Sequence, residues 1–289
     1  MSWVYSRLSK VYHKKDWFWT IIWVSGLSFL WIWDIQFLNA PALQQLKAGF
    51  LNTMLIAFIV ILFAALLGWI LTLFNYWMAR KFATLQMLLT FFINLIRSIP
   101  QIVGILIGFV ILTIVIRMKL LVSPVMILTG MAGIIALFVF LELFDLLQER
   151  ISYFKRLDFF DAMRVCGISE QYIINREIIW RSSLMHLLNK LIALFGAAIF
   201  LLCSVDFIIS VGLSTAISSV DLPVTLGSLL AKIDSKQDIL AIGHTLTNWE
   251  YVKYLPFTHL QGISVAFIIV FTLLCMYQIA NGFAARRRL

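Results

Sequence analysis

Apolar residues gather into six runs separated by short polar or basic stretches. They extend from Trp17 to about Leu38, from Phe50 to about Phe74, between Lys81 and Arg117, from Pro124 to Leu147, from Leu187 to about Val211, and from Ile263 to Ala285. A bilayer core about 30 Å thick takes roughly 20 apolar residues as helix. The pattern therefore predicts an all-α, polytopic membrane protein with six transmembrane helices.

The third run is too long for one crossing. Thirty-five residues lie between Lys81 and Arg117, and at about 1.5 Å of rise each a single helix would reach ~52 Å. Tilt does not absorb that excess. Ser98-Ile99-Pro100 lies in its middle, and proline removes a helical hydrogen bond. The expectation is a helix over 82–97 lying at the membrane interface, a break at Pro100, and a crossing over 98–116. Arg97 then stands at the headgroup border, where it either snorkels to the surface or lines a solute pathway.

Composition agrees with the pattern. Hydrophobic residues make up 62% of the 289 and charged residues 13%, whereas soluble domains carry roughly 25% charged residues. With a mean hydropathy of +0.96, a soluble fold, a disordered chain and a disulfide-framed secreted domain all fit poorly. The net charge of +9 does not point to nucleic acid, because the positive residues cluster between apolar runs. With the N-terminus inside, sixteen Lys and Arg fall on the cytoplasmic side and six outside, with Arg97 at the border. That bias places both termini in the cytoplasm. The first run is about 22 residues long, longer than the ~7–15 apolar residues of a cleaved signal, and Ala40-Pro41-Ala42 is a poor cleavage site. It reads as a retained anchor. The chain divides into residues 1–46 (N-terminus and first helix), 47–285 (the main transmembrane domain) and a basic C-terminus at 286–289.

Cys166, Cys203 and Cys275 share no metal-like spacing, and the four histidines form no metal motif. Asp206 lies within the fifth run, where an ionisable group is a functional candidate by default. It can line a solute route, pair with a partner subunit, or reach water near the outer end. Glu142 and Asp145, one turn apart, read either as solvated acids at the inner boundary or as a proton relay, and Asp34 reads as an interface residue.

The connection between the fourth and fifth runs is the most informative segment. Asp158 can cap a helix whose first turn holds Phe159, Phe160 and Asp161. Gly167 suits the left-handed position that ends it. Ser169 can cap a second helix, with Glu170 in its first turn. The prediction is helix, glycine turn, helix, held just below the membrane.

These residues resemble the cytoplasmic motif of ABC importer permeases: Glu-Ala-Ala, three residues, Gly, nine residues, then Ile-x-Leu-Pro. Asp161-Ala162-Met163 stands in the first position, Gly167 follows at the family interval, and Arg176-Glu177-Ile178-Ile179-Trp180 occupies the end. Dipeptide, oligopeptide and nickel-type permeases are most similar, since their motif commonly ends Arg-His-Ile-Leu-Pro. Ser210-Val211-Gly212-Leu213, Pro223 to Leu230 and Arg97-Ser98-Ile99-Pro100 are similar to further family stretches. The sequence departs from the family at Asp161, Met163 and Trp180, and it lacks the Gly-Thr-Asp-x-x-Gly-Arg-Asp lead-in to the second span.

The resemblance implies a type I importer permease in a bacterial inner membrane. Such a subunit pairs with a second permease, receives solute from an extracytoplasmic binding protein, and docks two ABC ATPase subunits. No phosphate-cradling Gly-x-x-x-x-Gly-Lys-Ser/Thr occurs in this sequence, so ATP and magnesium belong to the partners and this chain is expected to bind no cofactor and to be no enzyme. The solute would be a peptide or similar small molecule, with methionine or phosphonate as alternatives. In that scheme Phe159, Phe160 and Met163 are knobs for an ATPase groove, with Asp161, Ala162 and Arg164 beside them and Arg176 and Glu177 either docking charges or a solvated face. Two other readings compete: a surface helix burying the same phenylalanines in lipid headgroups, and a non-transporting scaffold that recruits a soluble partner.

Overall fold

The computed structural model describes residues 15–211, 222–232, 240–241, 243–258 and 260–285. Five helices are long and apolar enough to cross a membrane. They are α1 (Lys15–Phe37), α2 (Ala40–Lys81), α5 (Pro124–Phe154), α8 (Leu184–Ser210) and α11 (Leu260–Ala285), the last preceded by the short α10 (Leu255–Thr258). A sixth crossing is available if α3 (Ala83–Ser98) and α4 (Gln101–Arg117) are taken together, bent by 96° at their junction. No strand occurs among the described residues. The chain is thus an all-α, multi-pass membrane-embedded protein.

The bend falls where the sequence predicts it. Ile99 and Pro100 are extended, and Pro100 serves as the N-cap of α4. Proline has no N–H to continue the α3 ladder, and the residue before it is biased away from helix. α3 is amphipathic: Gln86, Thr90, Asn94 and Arg97 form its polar stripe, and Leu85, Leu88 and Phe92 are exposed and apolar.

The second crossing is longer than its apolar run. Asn39 Oδ1 accepts from the Ala42 amide at 3.0 Å, and Pro41 sits in the first turn. The Ala40-Pro41-Ala42 stretch is therefore a helix start, and the division at residue 46 falls inside α2. At 42 residues α2 would be ~63 Å long, so it projects well beyond an apolar core.

α5 is the axis of the bundle, burying residues from Ile127 to Ile151 against α2, α4 and α8. Small residues set the spacing. A Cβ on Gly104 or Gly108 of α4 would stand 2.3 Å from the Phe138 ring or 2.4 Å from Ile134 Cγ2 of α5. Without a hydrophobic drive between helices in lipid, such close approach is what associates them. α1 packs chiefly along α11, where Trp23 Nε1 donates to Thr272 Oγ1 at 3.2 Å. Asp34, expected at the interface, is instead fully buried there and accepts from Ser264 Oγ at 2.6 Å.

At the end of the bundle opposite residues 150–183, the short helix α9 (Leu226–Leu230) inserts between α2 and α8. Its capping box joins Thr225 and Ser228, Asn52 Nδ2 donates to the Val224 carbonyl at 2.8 Å, and the Leu226 amide donates to Thr53 Oγ1 at 3.0 Å. Gly227 lies directly on the backbone of Cys203: an added Cβ would meet its carbonyl oxygen at 2.4 Å and its Cα at 2.7 Å. Backbone cannot swing aside as the Ile134 side chain can. Gly227→Ala is therefore expected to destabilise by about 3 kcal/mol and Gly108→Ala by about 1 kcal/mol, read as unfolding in detergent micelles. Equal effects at the two sites would contradict this packing.

Candidate functional site

The segment between α5 and α8 forms a platform. Its first helix, α6, spans Asp158–Val165. Leu157 is the N-cap, with no side-chain cap, so Asp158 opens the first turn rather than capping it. The end is a full Schellman closure. Gly167 has φ +81°, the Ile168 amide donates to the Met163 carbonyl at 3.2 Å, and the Gly167 amide donates to the Arg164 carbonyl at 3.0 Å. These bonds satisfy the carbonyls that a helix end leaves over. Ser169 then opens α7 (Glu170–Tyr172).

Beyond Tyr172 the winding changes. Ile173–Ser182 is a π-helix, whose i→i+5 hydrogen bonds bring residues five apart into line. Ile173 and Ile178, and Ile174 and Ile179, are pairs of that spacing, and all four are buried. An α-helix would turn each pair to different faces. Trp180 lies inside this helix, where a proline would lack the N–H the ladder uses, and its ring packs edge-on to Trp69 of α2 at 6.3 Å.

The four isoleucines close around Phe160, Leu147 and Ile151, with Met163, Ile168, Trp69, Leu73 and Tyr76 at the margin. The expectation that Phe159, Phe160 and Met163 project together is thereby corrected. Phe160 is 2% exposed and, with Met163, faces inward, because positions three apart share one helix face. Phe159, Ala162 and Val165 face outward, Val165 being 88% exposed. The outward role of Val165 was legible in that same spacing but is absent from the family motif.

Polar contacts tie the platform to the bundle. Tyr76 Oη donates to Glu170 Oε2 at 2.5 Å, and Trp69 Nε1 donates to Asn175 Oδ1 at 3.0 Å. Arg164 Nε pairs with Glu170 at 2.9 Å, and its Nη1 lies 3.6 Å from Asp161. Arg150 Nε donates to Ser183 Oγ at 3.3 Å. Glu177 pairs with Arg181 at 3.1 Å, and the Arg176 guanidinium lies over the Tyr172 ring at 5.4 Å. Glu177 is therefore engaged within the platform, whereas Arg176 keeps an exposed side chain.

The acids expected to be merely solvated are paired. Arg97 Nη2 donates to Asp145 Oδ1 at 2.5 Å, and Lys190 Nζ meets Glu142 Oε2 at 2.6 Å. One turn of α5 thus anchors both the bent α3 and the start of α8. Arg97 and Pro100 act together at the bend, the first tethering it and the second breaking the helix. Asp206 lies far from both, 3% exposed, accepting from Thr225 Oγ1 at 2.5 Å. It anchors α9 to α8. Asp221, Asp234, Asp238 and the Gly212-Leu213 pair lie outside the described residues, as does the basic C-terminus.

A Cβ on Gly167 would meet nothing within 4 Å, so only backbone conformation penalises a substitution there. Gly167→Ala is expected to cost about 1 kcal/mol and Gly167→Asn less, since Asn tolerates the left-handed region. Equal losses for the two in a melting experiment would contradict a conformational role. No protein-family model matches this chain, and no curated protein matches it.

Proposed function

We propose that this chain is the permease subunit of an ATP-driven importer in a bacterial inner membrane, with the 158–183 platform and both termini on the cytoplasmic side. Two separate ATPase subunits carry the ATP and magnesium, a second permease completes the solute path, and an extracytoplasmic binding protein delivers a peptide or similar small solute. The observation that carries this reading is the platform itself: a short helix closed by a left-handed glycine at the motif position, with its inner face welded to α2 and α5.

Such an element transmits force. Phe160 and the isoleucines leave no room for the platform to slide over the bundle, because close-packed interiors shift as units rather than deform. Phe159, Ala162 and Val165 offer a small apolar ridge to the ATPase, rimmed by Asp161 and Arg164. Motion of the ATPase dimer during hydrolysis would then tilt α2 and α5 together and alternate access across the membrane. The Arg97–Asp145 and Glu142–Lys190 pairs bring α3 and α8 into the same movement.

The test is purification of the chain from its native membranes, with mass-spectrometric identification of any co-purifying ATPase by its phosphate-cradling motif and assay of ATP hydrolysis. Such an ATPase is expected with the wild-type chain. Phe159→Asp and Val165→Asp are expected to weaken its retention at least ~10-fold while leaving the melting temperature of the permease nearly unchanged. Phe160→Asp should instead unfold the platform. An ATPase absent from the wild-type preparation, or held undiminished by both surface variants, would overturn the assignment.

A further inference from the structure

A cleft of about 550 Å³ lies beside the platform, between the last turns of α2, the polar stripe of α3, the end of α5 and α6. That is large enough for a small molecule or headgroup. Asn75, Gln86, Gln148 and Ser152 line it, polar residues on helices that are otherwise mostly apolar. Asn75 Oδ1 and Gln148 Nε2 are both buried and neither has a hydrogen-bond partner. Buried polar atoms are ordinarily paired, so turning these two side chains toward the cleft they line would give this acceptor and this donor a partner in an occupant.

The charges at the rim specify its sign. Lys155 Nζ lies 5.0 Å from the Tyr76 ring centroid and 6.0 Å from that of Phe160, with no carboxylate partner among the described residues. Arg164 also lines the cleft and has guanidinium donors beyond the Nε that engages Glu170. The Glu170 carboxylate is already occupied by Tyr76 Oη and Arg164. An anion that also carries a hydroxyl matches this set: its oxygens take Lys155, Arg164 and the Gln148 amide, and its hydroxyl donates to Asn75.

We propose that this cleft binds a hydroxyl-bearing phosphate ester. The depth favours a lipid as its source. Tyr76 lines the cleft on α2, Asp145 of the Arg97–Asp145 pair stands one turn before Gln148 on α5, and aromatic and basic side chains of this kind gather at headgroup level. The headgroup of an anionic glycerophospholipid with free hydroxyls, as in phosphatidylglycerol, supplies the required chemistry there. The site shares only Arg164 with the rim of the outward ridge of α6 and does not depend on the transport proposal.

The test uses the full chain in detergent, with short-chain phosphatidylglycerol, phosphatidylcholine of the same chain length, and glycerol phosphate as probes. Binding is read by native mass spectrometry and by the shift in melting temperature. Phosphatidylglycerol is expected to bind saturably and raise the melting temperature, and phosphatidylcholine is not. Lys155→Gln and Gln148→Leu should each weaken that binding about 10-fold, and Lys155→Arg should retain it. Without lipid, Gln148→Leu should melt no lower than wild type, which separates lost binding from lost folding. Glycerol phosphate binding with the same dependence on Lys155 and Gln148, without a lipid preference, would support the site with a soluble ester as its ligand. Phosphatidylcholine binding as well as phosphatidylglycerol, or no effect of either variant on any probe, would overturn the proposal.

Discussion

Four isoleucines, 173, 174, 178 and 179, closed over the ring of Phe160 are the contact on which the rest of this molecule's behaviour depends. They sit against Leu147 and Ile151 near the end of α5, so the platform is continuous with the bundle's central helix. Burying such side chains is worth about 1.5–3 kcal/mol each, which outweighs any of the half-exposed ion pairs around them. The π winding is what makes this closure geometrically possible, since it brings two isoleucine pairs to one face. Without it, the segment would be joined to the bundle mainly at its ends rather than packed along it.

Polar contacts do a different job. In lipid, an unsatisfied backbone or side-chain group is costly, and two buried acids each accept a hydroxyl hydrogen bond: Asp206 from Thr225 and Asp34, through one of its two oxygens, from Ser264. Each joins two elements at a single place and so fixes register more than it adds stability. Glu142 and Asp145 do the same near the platform end of the bundle, tying α8 and the bent α3 to one turn of α5. Apolar burial holds the platform, and polar pairs set where each helix stops.

Much of this was legible in the residues. The apolar runs, the proline break at residue 100 and the glycine turn at 167 each rest on a strong local preference, and each appears where the sequence puts it. The features that escaped depend on partners distant in sequence. Asp34 looks like an interface residue until Ser264 is seen beside it, and Asp145 looks solvated until the bend brings Arg97 alongside. Phe160 is indistinguishable from Phe159 by type alone; only the amphipathic spacing with Met163 separates inward from outward. The π-helix has a faint signal in the five-residue spacing of the isoleucines, which helical periodicity of 3.6 conceals. The start of α2 was obscured because Pro41 suits both a first helical turn and a loop.

The central claim is that platform and bundle move as one body. Cys166 is an exposed thiol at the platform's tip, and Cys203 and Cys275 are buried, so a spin label can be placed at residue 166 and a second at an introduced Trp77→Cys. Pulsed electron resonance then reads the distance between them directly. The account predicts one narrow distance distribution that stays the same across conditions that shift the helices. A broad distribution, or one that changes independently of the bundle, would contradict it.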